Sequence, residues 1–133
     1  MLEGFEKYNV SPGLVSMTIT PNGIGFSKTA VERMERCEYV IVMIDYAGKR
    51  FAVQRSDEDE EGSSKFYRGG RNVSVRWNNK ELINTLCGLM NWDISDHSYK
   101  VNGVYSRDDN ALIFDLKTAE PSSRNRKEVD GFG

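Results

Sequence analysis

Lys65, Arg68, Arg71 and Arg76 fall in one short stretch that also carries Phe66, Tyr67 and Trp77. Cationic side chains neutralise phosphates, and aromatic rings beside them offer faces on which bases stack. This interleaving is what a surface tracking a nucleic-acid strand needs. Lys49 joins the set from a hairpin turn, with Arg50 and Arg55 close by, and Arg124, Arg126 and Lys127 make the tail basic. The expected roles are phosphate contacts for Lys49, Lys65, Arg68, Arg71 and Arg76, and stacking for Tyr67. The competing reading is a solvated linker whose rings tuck onto the core.

Just ahead of this stretch, Asp57, Glu58, Asp59, Glu60 and Glu61 run consecutively. The chain has a formal net charge of −2, so the residues outside the run are net positive and the acidity is local. The run lacks the ligand spacing and central glycine of a calcium loop, and it reads as a solvated loop that can also guard against a wrong partner.

Other chemistry finds little material. His97 is the only histidine, and Cys37 and Cys87 have no close cysteine partner, too few ligands at no useful spacing for a zinc site. No metal and no cofactor are expected. There is no GxSxG elbow and no glycine-rich phosphate loop. Asp93, Asp96 and His97 are close in sequence and form the one enzymatic alternative, but neighbours in one loop seldom converge as a catalytic set. The chain is read as a non-enzyme. Cys37 and Cys87 fall near the ends of two predicted helices and are expected to be free, buried thiols.

These side chains must be held by a fold. The chain has 133 residues, 38% hydrophobic and 29% charged, which is one domain with enough apolar material for a core. No apolar run reaches membrane-spanning length and no basic-then-apolar leader opens the sequence, so no membrane partner and a cytoplasmic location are expected. Residues 1–14 read as a flap with Phe5 and Tyr8 on one face, broken by Ser11, Pro12 and Gly13. Val15, Met17 and Ile19 alternate with Ser16, Thr18 and Thr20 as a half-buried strand, and Pro21, Asn22 and Gly23 turn it into a short return strand over 24–26. Ser27 caps a helix carrying Ala30, Val31 and Met34. The apolar run 39–44 predicts a central strand buried on both faces, and 50–54 returns from a hairpin. In the second half, Val73, Val75 and Trp77 alternate. Asn78 with Glu81 resembles a capping box, and Leu82, Ile83, Leu86, Leu89 and Met90 mark the strongest helix. A loop over 93–97 leads to strands around Tyr99–Tyr105 and Leu112–Leu116.

The predicted class is α+β: two βαββ-like units in tandem, 15–55 and 73–119, mostly antiparallel with one helix each, related by a pseudo-twofold. Residues 56–72 form an acidic and glycine-containing linker and 120–133 a polar tail.

The first unit, on VSMTIT, the turn Gly23, the strand IGF, the helix SKTAVERM, the strand YVIVMID and the return KRFAVQ, resembles the AbrB/MazE-type swapped-hairpin family. That resemblance implies a DNA-binding regulator or antitoxin module that dimerises by interleaving hairpins. Ile24 and Ser27 stand where the family often has a basic residue and a proline. The DNA-contacting role therefore does not transfer to Ile24, while Lys28 and Arg33 remain candidate phosphate contacts. The whole chain is also similar to small proteins of Gram-positive bacteria and their mobile elements. The functional expectation is a nucleic-acid-associated or regulatory accessory module, with a protein-interaction or homodimeric assembly module as the alternative.

Overall fold

The computed structural model describes residues 3–6, 14–70, 73–95 and 97–123. Of these, 43% lie in strands and 18% in helices. β1 (Ser16–Thr20) and β2 (Gly23–Phe26) form a hairpin. Its turn is fastened by the Thr20 hydroxyl, which accepts from the Asn22 N–H and donates to the Gly23 carbonyl, both at 3.2 Å. Ser27 then caps α1 (Lys28–Arg33): its Oγ accepts from the Ala30 N–H at 3.2 Å and from the Ser16 N–H at 3.1 Å, while donating to the Leu14 carbonyl at 2.9 Å. One hydroxyl thus ties the helix start to the first strand. β3 (Tyr39–Asp45) and β4 (Arg50–Ser56) form the second hairpin. β5 (Ser63–Lys65), β6 (Val75–Trp77), α2 (Lys80–Met90), β7 (His97–Ser106), β8 (Ala111–Asp115), a 3-10 turn over Leu116–Thr118 and β9 (Glu120–Ser123) complete the chain.

The strands make one curled sheet, a half-barrel, in the order β5-β3-β4-β8-β7-β1-β2-β6, with β9 paired to β7. This overturns the tandem βαββ arrangement. Neither half closes on itself: the β1–β2 hairpin takes β7 and β6 as neighbours, and the β3–β4 hairpin takes β8. Alternating patterns specify which face of a strand is buried but not which strand lies beside it. The ten-residue β7 is the spine, pairing with β1 through Tyr99–Asn102 and with β8 through Gly103–Ser106.

Three further expectations change. β3 is second from one end of the sheet, and its outer face is covered only in part: Val40 is fully buried, whereas Met43 is 42% exposed. The stretch 56–72, read as a linker, contains β5 and the core residue Phe66, and the stretch read as a tail contributes β9. The cap of α2 is Asn79 rather than Asn78; its side chain accepts from the Leu82 N–H at 3.0 Å.

The core fills the concave side. Met17, Ile19, Ile24 and Phe26 come from the first hairpin, Val40, Phe51 and Val53 from the second, Leu112 and Phe114 from β8. α1 adds Ala30, Val31 and Met34, and α2 adds Ile83 and Leu86 from its apolar stripe. Tyr8, Pro12 and the other residues of 7–13 lie outside the described residues, while Phe5 is exposed.

Candidate nucleic-acid interface

A half-barrel has two end strands, and here β5 and β6 stand on the two sides of an open seam. Among the described residues one hydrogen bond bridges the seam: Nε1–H of Trp77 in β6 donates to the backbone carbonyl of Lys65 in β5 at 3.0 Å. Beneath the bridge, Phe26 lies 5.0 Å from Trp77 and 5.4 Å from Phe66, with Phe66 and Trp77 6.1 Å apart, all edge-on. Edge-to-face contacts place the positive rim of one ring on the negative face of the next. Beyond β5 the backbone stays anchored, because the N–H groups of Phe66 and Tyr67 donate to the carbonyls of Glu38 and Cys37 at 2.7 and 3.1 Å. Gly23 allows the other side to close: a Cβ there would come within 2.7 Å of the Trp77 carbonyl and 3.0 Å of Arg76 Nε.

The seam holds a cleft of about 470 Å³. Lys65, Arg68 and Arg76 line it, together with Ser64, Asn78 and Asn79. Val42, Trp77 and Leu82 supply its apolar wall. Three of the predicted contacts therefore meet in one place. Arg68 and Arg76 are exposed and make no hydrogen bond or ion pair among the described residues. Lys65 is more constrained. Its ammonium sits 3.3 Å from the Glu38 carboxylate and 4.9 Å over the Tyr39 ring, and the hydrogen bond to Glu38 holds it above the usual lysine range.

The other expected contacts are elsewhere. Lys49 sits in the β3–β4 turn, at the opposite end of β3 from Lys65, about 20 Å away at 3.4 Å per strand residue. Tyr67 is half-buried against the core, and the Arg36 guanidinium lies 5.9 Å over its ring, so that face is already taken. Arg71, Arg124, Arg126 and Lys127 lie outside the described residues. Ser64, Asn78, Asn79, Val42 and Leu82 were not expected in the site. The only sequence signal for any of them is the Asn-Asn pair before a helix, which reads equally well as a cap.

The Asp93 carboxylate folds back on Ser95, accepting from its N–H at 3.2 Å and its hydroxyl at 2.6 Å, an Asx-type turn. His97 begins β7 with its ring edge-on to Tyr99 at 6.2 Å, and Asp96 lies outside the described residues. Cys37 and Cys87 are free and half-buried, and burial pushes both thiols above their ordinary pKa, the direction that disfavours the thiolate. The five carboxylates of 57–61 make no ion pair among the described residues and border the start of β5. No helix among the described residues is long and apolar enough to cross a membrane.

No family model, curated protein or solved structure matches the chain.

Proposed function

We propose that this chain is a non-enzymatic binding module that holds nucleic acid by its phosphates in the seam cleft, as an associated or regulatory accessory protein. The observation that carries this reading is the pair of guanidinium groups, Arg68 and Arg76, that share the cleft with Lys65 and have no anionic partner among the described residues. An unpaired guanidinium presents a fork of donors suited to a phosphate, and its binding is favoured by the counterions it releases. The acidic loop next to β5 repels the same ligand and so confines its path to the cleft.

The test is fluorescence anisotropy with labelled DNA and RNA at low and moderate salt. Arg68→Ala combined with Arg76→Ala is expected to weaken binding at least about tenfold and to flatten its salt dependence. Because both side chains are exposed and have no partner among the described residues, the variant's melting stability should stay within about 0.5 kcal/mol of the parent. Unchanged affinity and salt slope would remove the cleft from the reading.

A second reading, self-assembly through β3, is favoured by one surface feature. β5 pairs with Tyr39–Ile41, and among the described residues nothing pairs with the Val42–Asp45 edge on that side. On the convex face, Met43, Ala52, Ile113 and Val104 stand directly opposite one another across four strands, and Val104 is 63% exposed. Asp45, the one charge on the open segment, is already satisfied. The Gly48 N–H at 2.9 Å and the Arg50 guanidinium hold its carboxyl below the usual range. A neutral apolar edge fits a second copy of itself, paired antiparallel about a twofold. On this reading light scattering finds a salt-insensitive dimer, and Met43→Lys converts it to a monomer without unfolding. A parent chain that stays monomeric as concentration rises would rule it out.

A further inference from the structure

Resting on the nucleic-acid reading, we infer that the seam cleft takes a single strand and excludes a duplex. The first argument is width. The two sides of the seam are tied by the hydrogen bond from Trp77 Nε1–H to the Lys65 carbonyl at 3.0 Å, so the cleft is a recess bounded by that bridge and not an open groove running between the strands. The cleft volume of about 470 Å³ lies in the range of small-ligand pockets, room for a nucleotide unit rather than for paired strands.

The second argument is shape. Duplex readers push a helix or a two-stranded ribbon into a groove. Here the cations are recessed between strand ends. The helix at the cleft's rim, α2, contributes its cap Asn79 and Leu82 to the lining, and its charged residues are one lysine, Lys80, and one glutamate, Glu81, so it has no net positive charge to present to phosphates.

The third argument is the wall. Val42, Trp77 and Leu82 line the same cleft as Arg68 and Arg76 and give it apolar surface. Such a surface is matched by the face of an unstacked base whose phosphate lies against the cations. In a duplex those faces are hidden within the stack, whereas a single strand offers them.

Three cations set the size of the electrostatic effect. Single strands release about 0.7 counterion per neutralised phosphate, so log K should fall with log salt at a slope of about −2. The experiment uses the full chain and three labelled or competing probes. These are an oligothymidylate of about fifteen nucleotides, a hairpin duplex of similar total charge, and inorganic polyphosphate. The expected result is at least about tenfold tighter binding to the single strand than to the hairpin, a slope near −2, and a loss of about 0.7 from that slope in Arg76→Ala. Polyphosphate should compete several-fold more weakly than the oligonucleotide, because it has no base for the wall. Equal or tighter binding to the hairpin would overturn the inference while leaving the nucleic-acid reading standing. Equal competition by polyphosphate would overturn the role of the wall, and with it the preference for a single strand. No binding to any probe at low salt would remove the nucleic-acid reading itself.

Discussion

Phe26→Ala should cost about 4 kcal/mol of folding stability, the range for deleting a buried phenyl ring. Phe26 is 4% exposed and stands where three parts of the molecule meet: Phe66 after β5, Trp77 in β6, and Phe114 in β8 at 6.1 Å. Phe114 in turn lies 6.2 Å from Phe51, so the aromatic chain runs from the second hairpin to the seam. Removing its middle member leaves a cavity between elements with no backbone pairing to hold them together. A domain of this size has about 5–15 kcal/mol to lose. The seam should loosen before the rest, and the Trp77 indole, deprived of the ring it packs on, should gain solvent exposure. Urea denaturation gives the first number and quenching of tryptophan fluorescence the second. Because Trp92 is stacked on Tyr99 at 4.4 Å and also emits, the quenching comparison needs a Trp92→Phe background. A loss below about 1.5 kcal/mol would mean that the neighbours collapse into the space and that the cluster does not hold the seam.

Gly103→Ala is the second large effect, expected at about 3 kcal/mol from one added methyl group. Gly103 pairs directly with Phe114, on the concave face of β7 between Val101 and Tyr105. A Cβ there would lie 2.5 Å from Phe114 Cδ1 and 2.7 Å from the Ile113 carbonyl oxygen. The ring is fully buried and the carbonyl is backbone, so neither can yield cheaply. Here the reason for glycine is space, since this position is absent from the residues with positive φ. The melting temperature should fall by about 10 °C. Pairing the substitution with Phe114→Leu separates this cause from a general strand effect. If the clash is with the ring, the double variant should be less destabilised than the two single losses added together. Strict additivity would place the strain on the Ile113 carbonyl alone.

Both predictions concern contacts between segments far apart in the chain, and that is where sequence reasoning reached its limit. The alternation of Met17 and Ile19, the stripe of α2 and the cap at Ser27 were legible because each depends on spacing within a few residues. Asn79 displaced Asn78 as the second cap because adjacent asparagines are chemically alike, and only the helix geometry selects one. β5 was missed because three residues, Ser63–Lys65, carry no apolar alternation; their strand conformation is imposed by β3 alongside. Likewise the run 39–44 looked doubly buried because its side chains are uniformly apolar. Its outer face is covered only in part, since the sheet curls with its convex side outward and nothing among the described residues packs over Met43.

The candidate site divides in the same way. Lys65, Arg68 and Arg76 were visible as a basic and aromatic cluster by composition alone, and they meet in one cleft because the strands that carry or precede them are the two ends of one sheet. Lys49 and Tyr67 shared the composition but not the place: one is carried away along β3, and the other is turned onto the core under Arg36. By itself the sequence determined the buried face of β1 and the apolar stripes of the two helices, and where basic charge is available. Only the tertiary structure decided that the two halves interleave through β7, that the sheet stops short of closing, and that an indole and three cations share the resulting gap. Local periodicity encodes the face of each strand, whereas the choice of neighbouring strand is made by packing across the whole core.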